Sequence, residues 1–291
     1  MNKIRDLLRL FRVHQYIKNL FIFAPLFFAF SFDYKSSLRC TFAFLFFSLL
    51  ASSIYIFNDL QDIQSDRLHP KKKFRPIASG IISPKKALCI ALVLVFFSGA
   101  GGYATLGDNF LALCALYIFL NLAYSLRLKH IAILDVCIIA IGFIIRLFIG
   151  AYAGGVKLSH WIIITTFFLS LFLAFCKRRD DLQILKADGI KMRKSIDGYS
   201  PYFIDFCITI SATMSILSYV MWSISPDSMT KLHSSYLYLT SFFVILGIMR
   251  YGQIVYVKSG GGSPTQVVLK DFFMHLILLG WILSFVILIG S

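Results

Sequence analysis

Long apolar stretches follow one another along nearly the whole chain and are separated by polar segments. A helix that crosses a bilayer needs about 20 mostly apolar residues, and only helices satisfy their own backbone there. We therefore predict an all-α, polytopic membrane protein, with residues 1–291 forming a single membrane-embedded domain of nine transmembrane helices. The predicted spans are Tyr16–Phe32, Leu38–Phe57, Ala87–Leu106, Phe110–Leu126, Ile131–Ala153, His160–Cys176, Tyr202–Trp222, Ser234–Val257 and Val267–Ile289.

Composition agrees with this pattern, because 58% of the 291 residues are hydrophobic, 15% are charged and the mean hydropathy is +0.77. These values exclude a water-soluble enzyme and a disordered chain. The six cysteines are scattered among apolar residues, so a disulfide framework or a zinc site is not expected. Residues 1–15 alternate basic and apolar side chains, which predicts an amphipathic helix at the membrane surface.

Basic residues are unevenly distributed over the predicted loops. If the loops alternate sides, 24 of the 29 lysines and arginines lie on the side of the N-terminus and four on the other, and Arg146 lies within the fifth span. Positively charged loops stay in the cytoplasm. This predicts an inner (cytoplasmic) membrane protein with a cytoplasmic N-terminus and an external C-terminus. The long loops 58–86 and 177–201 fall on the cytoplasmic side.

An acidic motif opens the first of these loops. Asp59, Asp62 and Asp66 follow Asn58 at spacings that place all three carboxylates on one stripe of a helix. Crowded carboxylates repel each other unless cations bridge them, and oxygen ligands suit Mg²⁺ together with substrate phosphates. The motif predicts a magnesium–phosphate site; the alternative interpretation is a solvated helix end.

This motif, at the end of the second of nine predicted helices, resembles the UbiA superfamily of intramembrane prenyltransferases. The resemblance implies a UbiA-like bundle with an active-site mouth facing the cytoplasm, and a motif that binds Mg²⁺ and a diphosphate. The segment from Tyr124 to Lys129 is similar to the YxxxK element of that family, with one additional residue in the spacing.

The sequence departs from a typical family member between the sixth and seventh spans. A second aspartate-rich motif is expected there, but the chain has Lys177, Arg178 and Arg179 followed by Asp180. This basic triplet with its following aspartate, together with the stretches 15–26 and 67–80, resembles the branch of the family that includes decaprenyl-phosphate phosphoribosyltransferase. The resemblance implies transfer of 5-phosphoribose from phosphoribosyl diphosphate to a polyprenyl phosphate. Transfer of a polyprenyl group to an aromatic acceptor such as 4-hydroxybenzoate is the alternative, and a transporter is a third, weaker interpretation.

The candidate residues follow from these motifs and this resemblance. Catalytic roles are predicted for Asp59, Asp62, Asp66, Lys129 and Arg146, and Asn58 joins the three aspartates as a metal ligand. Arg146 could contact a substrate phosphate at the base of the pocket, or be held by carbonyl groups or by Asp135 through water. Phosphate contacts are predicted for Lys18, Asn58, Arg67, Lys73, Arg75, Tyr124, Lys177, Arg178, Arg179 and Tyr199.

The triplet 177–179 has a simpler alternative interpretation, which is membrane topology alone. A phosphomonoester is already anionic at neutral pH, since its second pKa is about 6. The predicted reaction therefore needs positioning and electrostatic stabilisation more than a strong general base. The expected partners are the two phosphorylated substrates and the membrane, with no nucleic acid.

Overall fold

The computed structural model describes residues 3–68, 72–189, 194–258 and 264–289, and within these ranges it contains helices and no β-strand. This confirms the all-α prediction. The α-helices are α1 Lys3–Leu10, α2 Ala24–Ala29, α3 Tyr34–Gln61, α4 Ile63–Leu68, α5 Pro84–Leu106, α6 Asp108–Leu126, α7 Leu134–Gly154, α8 His160–Asp188, α9 Pro201–Ser223, α10 Pro226–Leu232, α11 Ser241–Tyr256, α12 Pro264–Lys270 and α13 Phe272–Leu288. Short 3-10 helices lie at Val13–Phe23, Lys72–Phe74, Leu128–His130, Lys194–Gly198 and Leu237–Thr240.

Among the described residues, seven helical segments are long and apolar enough to cross a membrane. An eighth is obtained if α12 and α13, bent by 81° at Asp271, are taken as one span. The prediction of nine spans is therefore not confirmed. The last predicted span is broken because the Asp271 side chain accepts a hydrogen bond from the Met274 amide (2.9 Å) and begins a new helix.

The first predicted span, Tyr16–Phe32, is not one α-helix. The chain forms a 3-10 helix over Val13–Phe23 and then the short α2. Side chains tie this segment to α3, since Tyr16 shares a hydrogen bond with Ser52 (2.8 Å) and Asn19 donates to Ser48 (2.9 Å). Contacts with a neighbouring helix, which the hydropathy pattern does not report, thus shape the segment.

The chain forms two compact units. Unit 1 contains Met1–Phe27, Ser31–Ser125 and Arg146–Val156, and unit 2 contains Phe28–Phe30, Leu126–Ile145 and Lys157–Ser291.

In unit 1, α3 packs along α5. The Ser98 hydroxyl donates to the Phe46 carbonyl (2.8 Å), and a Cβ at Gly101 would lie 2.3 Å from the Phe46 ring, so the glycine permits the close approach. Asp33 caps the start of α3 by accepting a hydrogen bond from the Ser36 amide (2.9 Å). α3 continues to Gln61, so the acidic motif begins on a helix rather than in a loop.

In unit 2, α8 packs along α9. α8 continues far beyond the predicted end at Cys176, and the basic triplet 177–179 therefore lies on a helix and not in the predicted loop. Lysine, arginine, leucine and glutamine, which make up most of this stretch, are good helix formers, so its polar composition does not end the helix. The end comes at Gly189, whose φ of 66° is the left-handed conformation typical of a helix C-terminus.

Candidate active site

The acidic motif occupies the end of α3 and the adjoining α4. Asp59 lies on the last turn of α3, Asp62 at its C-terminal cap and Asp66 on α4. The amide of Asp62 donates to the Asn58 carbonyl (3.0 Å) and that of Asp66 to the Asp62 carbonyl (2.8 Å), so helical hydrogen bonding continues across the boundary. Asp59 and Asp66 are buried, whereas Asp62 is half-buried.

Arg75 brings two of these carboxylates together. Its Nη1 atom donates to Asp59 Oδ1 (2.9 Å) and to Asp66 Oδ2 (2.6 Å). The Arg75 side chain is 27% exposed. A predicted phosphate ligand and two predicted metal ligands therefore share one place in unit 1, which we call the acidic cluster: Asp59, Asp66, Arg75 and the residue Arg12 described next.

Arg12 is a member of this cluster that sequence reasoning did not single out. Its guanidinium group forms an ion pair with Asp59 and lies 5.1 Å from the centre of the Tyr55 ring. The residue has a left-handed backbone conformation with φ of 51°, between α1 and the following 3-10 helix. The sequence pattern places Arg12 on the surface helix predicted for residues 1–15, but α1 ends at Leu10 and Arg12 lies beyond it. Its position three residues before the 15–26 stretch is the signal that could have identified it.

The other predicted residues around the acidic motif have separate contacts. The Ser125 hydroxyl donates to the side-chain oxygen of Asn58, and this hydrogen bond holds the end of α6 beside the motif. Tyr124, the residue before Ser125, is half-buried. Arg67 is exposed and donates through Nε to the Ala78 carbonyl (3.2 Å). Lys73 is also exposed, with its ammonium group 5.2 Å from the centre of the Phe74 ring.

Arg146 is buried within unit 1, on the part of α7 that belongs to this unit. Its Nε donates to Asn19 Oδ1 (2.9 Å) and its Nη2 to the Tyr117 hydroxyl (3.3 Å). The guanidinium carbon also lies 5.0 Å from the centre of the Phe47 ring. The sequence pattern does not point to these three partners, Asn19, Tyr117 and Phe47. Lys18, half-buried, precedes Asn19 on the same 3-10 helix.

In unit 2, Arg178 lies away from solvent. It is fully buried, donates through Nε to Asp135 Oδ2 (2.7 Å) and through Nη1 to Asp181 Oδ2 (3.2 Å). Asp135 also accepts hydrogen bonds from the hydroxyl groups of Ser195 (3.0 Å) and Tyr199 (2.7 Å). We call these four residues, Asp135, Arg178, Ser195 and Tyr199, the Asp135 network. Two predicted phosphate ligands, Arg178 and Tyr199, thus have internal partners.

Arg179 faces a different environment from its neighbour. Its Nε donates to Asp205 Oδ1 (2.8 Å), and its guanidinium carbon lies 4.1 Å from the centre of the Tyr256 ring. Lys177 is half-buried on the same turn of α8, and Lys129 is half-buried on the 3-10 helix Leu128–His130.

The model of the UbiA prenyltransferase family matches residues 20–284. The chain belongs to this family. Decaprenyl-phosphate phosphoribosyltransferase of Mycolicibacterium smegmatis is 36% identical to this UbiA protein, over 97% of the chain and 91% of the relative. The enzyme of the same name from Mycobacterium tuberculosis is 32% identical, over 97% and 93% respectively. The chain is accordingly a membrane-bound transferase.

Solved structures show the same fold. A UbiA homolog from Archaeoglobus fulgidus, solved with GPP and Mg²⁺ bound, has a TM-score of 0.71 and 18% identity to this UbiA protein, and covers 98% of this chain and 100% of its own. An unliganded UbiA homolog from Aeropyrum pernix K1 has a TM-score of 0.62 and 14% identity, with 93% and 97% coverage. At these identities the likeness concerns the fold alone.

The acidic cluster has donor chemistry that fits a magnesium ion. Oxygens of Asp59 and Asp66 converge on one cationic nitrogen of Arg75, so the two carboxylates already share a point of positive charge. In the described ranges no three His, Cys, Asp or Glu side chains lie close enough to hold one metal ion together. The protein would therefore supply two carboxylates to the ion. Mg²⁺ is commonly bound by one or two carboxylates when substrate phosphates supply further ligands.

Proposed function

We propose that this UbiA protein transfers 5-phosphoribose from phosphoribosyl diphosphate to a polyprenyl phosphate of the decaprenyl type, with release of diphosphate. The observation that carries the proposal is the similarity to decaprenyl-phosphate phosphoribosyltransferases over 97% of the chain. The acidic cluster supports it, because it places two partly exposed guanidinium groups, a type of group that binds phosphate well, beside two carboxylates.

In the proposed reaction, a phosphate oxygen of the lipid attacks C1 of the ribose. The bond from C1 to the diphosphate oxygen breaks, and its electron pair leaves with the diphosphate. The attacking phosphate is already anionic, so no side chain has to remove a proton from it. The protein contributes by orienting the two phosphorylated substrates and by balancing charge at the reacting atoms.

The residues take the following roles in this proposal. Asp59 and Asp66, with Asp62 and Asn58 as neighbours on the same helical path, hold Mg²⁺, which when bound neutralises charge on the leaving diphosphate. Arg12 and Arg75 keep the two carboxylates oriented and offer guanidinium groups to phosphate oxygens. Further cationic and hydroxyl contacts to phosphate are proposed for Lys18, Arg67, Lys73, Tyr124, Lys129, Arg146, Lys177 and Arg179.

Two residues of the predicted set take another role here. Arg178 and Tyr199 have partners inside unit 2, at 2.7 Å from Asp135 in both cases, and Arg178 has no exposed surface. We assign them to the support of the protein fold instead of to substrate.

The decisive experiment supplies purified protein with labelled phosphoribosyl diphosphate, decaprenyl phosphate and Mg²⁺. We expect label in the lipid fraction, and no transfer after removal of the metal with a chelator. A parallel reaction contains a polyprenyl diphosphate and 4-hydroxybenzoate. Turnover of that pair, with no label transferred to lipid, would refute the proposal in favour of an aromatic prenyltransferase.

We further propose an inner-membrane location with a cytoplasmic N-terminus, on the basis of the asymmetric distribution of lysine and arginine. Single cysteines placed in the loop 58–86 of a cysteine-free variant should react with a membrane-impermeant thiol reagent only after the cells are opened. Labelling in intact cells would contradict this orientation.

A further inference from the structure

A strained turn precedes α7 in unit 2. Ile133 has a left-handed backbone conformation with φ of 69°, which β-branched residues rarely adopt. Such a conformation persists where the surrounding structure holds it. Here the Ile133 amide donates a hydrogen bond to the Tyr199 hydroxyl at 2.7 Å, and Tyr199 lies 66 positions later in the chain.

The Tyr199 hydroxyl connects this turn to a buried carboxylate. It accepts from Ile133 and donates to Asp135 Oδ1 (2.7 Å), so both of its hydrogen-bonding functions are in use. Burial and the hydrogen bond to the Asp135 carboxylate raise the pKa of Tyr199 well above its ordinary value. The hydroxyl therefore stays protonated and remains a donor to Asp135 throughout the physiological pH range.

Arg178 and Ser195 hold the other oxygen of the same carboxylate. Arg178 Nε and the Ser195 hydroxyl both donate to Asp135 Oδ2, at 2.7 and 3.0 Å. The carboxylate thus links the start of α7, the cytoplasm-proximal part of α8 in our proposed orientation, and the segment before α9. Because it has no exposed surface, water does not compete for these bonds.

Close packing reinforces the hydrogen bonds. A Cβ at Gly198 would lie 2.5 Å from the Ala132 side chain, so the absence of a side chain allows the segment Lys194–Gly198 to contact the turn. Gly198 and Tyr199, which are neighbours in the chain, thus contact Ala132 and Ile133 of the same turn.

The turn lies next to a predicted phosphate ligand. Lys129 is on the 3-10 helix Leu128–His130, and backbone hydrogen bonds continue from that helix into α7: Ile131 N to Leu128 O (3.2 Å) and Asp135 N to Ile131 O (3.1 Å). With these bonds in place, the conformation of Ile133 sets the direction in which the 3-10 helix and Lys129 project from α7.

We propose that Tyr199 and Asp135 are positioning residues that orient Lys129 for phosphate binding through the Ile133 turn. This inference rests on the proposed function, in which Lys129 contacts a substrate phosphate. The Asp135 network then affects substrate binding through Lys129, although none of its residues contacts the substrate.

The test replaces Tyr199 by phenylalanine in the full-length protein, with Tyr219→Phe as the matched control. Tyr219 is also a buried tyrosine of unit 2, and its hydroxyl also has two partners, Thr240 and Trp281, both at 2.8 Å. We expect both variants to lose similar thermal stability. Only Tyr199→Phe should raise the KM for phosphoribosyl diphosphate, by about 10- to 100-fold, with a much smaller change in kcat.

A double-mutant cycle then shows whether Lys129 transmits the effect. In a Lys129→Gln background, Tyr199→Phe should produce no further rise in KM, because the group that it positions is already absent. Equal KM values for the two tyrosine variants, or additive effects of Tyr199→Phe and Lys129→Gln, would overturn the inference.

The same variants separate this inference from the proposed function. If the wild-type protein transfers no phosphoribose, the proposed function fails, and affinity for inorganic diphosphate with Mg²⁺ replaces KM as the readout. Weaker binding by Tyr199→Phe than by Tyr219→Phe would then still support the positioning role, and equal binding would refute it.

Discussion

The acidic cluster of unit 1 and the Asp135 network of unit 2 are both built from aspartate and arginine, but they differ in access to solvent. Arg12 and Arg75 keep 20% and 27% of their side-chain surface exposed while they pair with Asp59. Arg178 and Asp135 are completely buried. An ion pair at a partly exposed position can exchange partners with an incoming phosphate or metal ion, whereas a buried pair has no replacement for a lost partner. In the function that we propose, aspartate and arginine bind substrate and metal directly in the acidic cluster, whereas in the Asp135 network they hold the protein fold and position Lys129.

Arg178→Gln should give the largest effect on stability. It leaves the buried Asp135 carboxylate without its main counter-charge, and removal of one partner from a buried pair costs about 3–5 kcal/mol. Arg179→Gln, at the next residue of α8, is the control, since its partner Asp205 is 38% exposed and such pairs contribute about 0–1 kcal/mol. Thermal unfolding in detergent measures both. Equal destabilisation by the two variants would remove the distinction between the network and a surface ion pair.

Asp59→Asn should act on catalysis more than on stability. Loss of a carboxylate from the acidic cluster should reduce Mg²⁺-dependent transfer by about 10²- to 10³-fold, comparable to the loss of one strong electrostatic contact in a transition state. The fold should tolerate the change because Arg12 and Arg75 still reach solvent.

Asp33→Asn is the matched control for this prediction. Asp33 caps the opposite end of the same helix, and asparagine is an equally good N-cap. Activity of Asp59→Asn within a few-fold of Asp33→Asn would show that the acidic cluster does not hold the metal.

Arg12→Gln should have the smallest of the three effects. If Arg12 offers its guanidinium group to a substrate phosphate, the KM for phosphoribosyl diphosphate should rise about tenfold, which corresponds to about 1.4 kcal/mol. Arg39→Gln is the control, because Arg39 is on α3 but donates to the Ala153 carbonyl (3.0 Å). Steady-state kinetics on both variants test whether Arg12 binds a substrate phosphate. An unchanged KM in Arg12→Gln would show that Arg12 only supports Asp59 structurally.

Hydrophobic patterning predicted the helical fold well because burial in lipid requires both an apolar composition and a helical backbone. It predicted the boundaries less well. The first predicted span became a 3-10 helix followed by α2, and the last was broken at Asp271 by a helix cap. Side-chain hydrogen bonds of Tyr16 and Asn19 accompany the first departure, and the hydrogen bond to Asp271 accompanies the second. Average hydropathy contains no information about such bonds.

Local spacing also identified the acidic motif, since residues three and four apart on a helix share a face wherever the helix lies. It could not identify side chains that are distant in the sequence but in contact in the structure. Arg12 and Asp59 are 47 positions apart, and Tyr199 and Asp135 are 64 apart. Which distant side chains meet depends on how the helices pack.

The sequence by itself therefore determined that the chain is a helical membrane protein of the UbiA type with carboxylates collected at one helix end. These properties depend on composition and on contacts within a single helix. Only the tertiary structure decided that Arg12 pairs with Asp59 and that Arg178, one residue before the partly exposed Arg179, is buried with Asp135. Adjacent residues on a helix point about 100° apart, so their environments are set by the neighbours that the fold supplies.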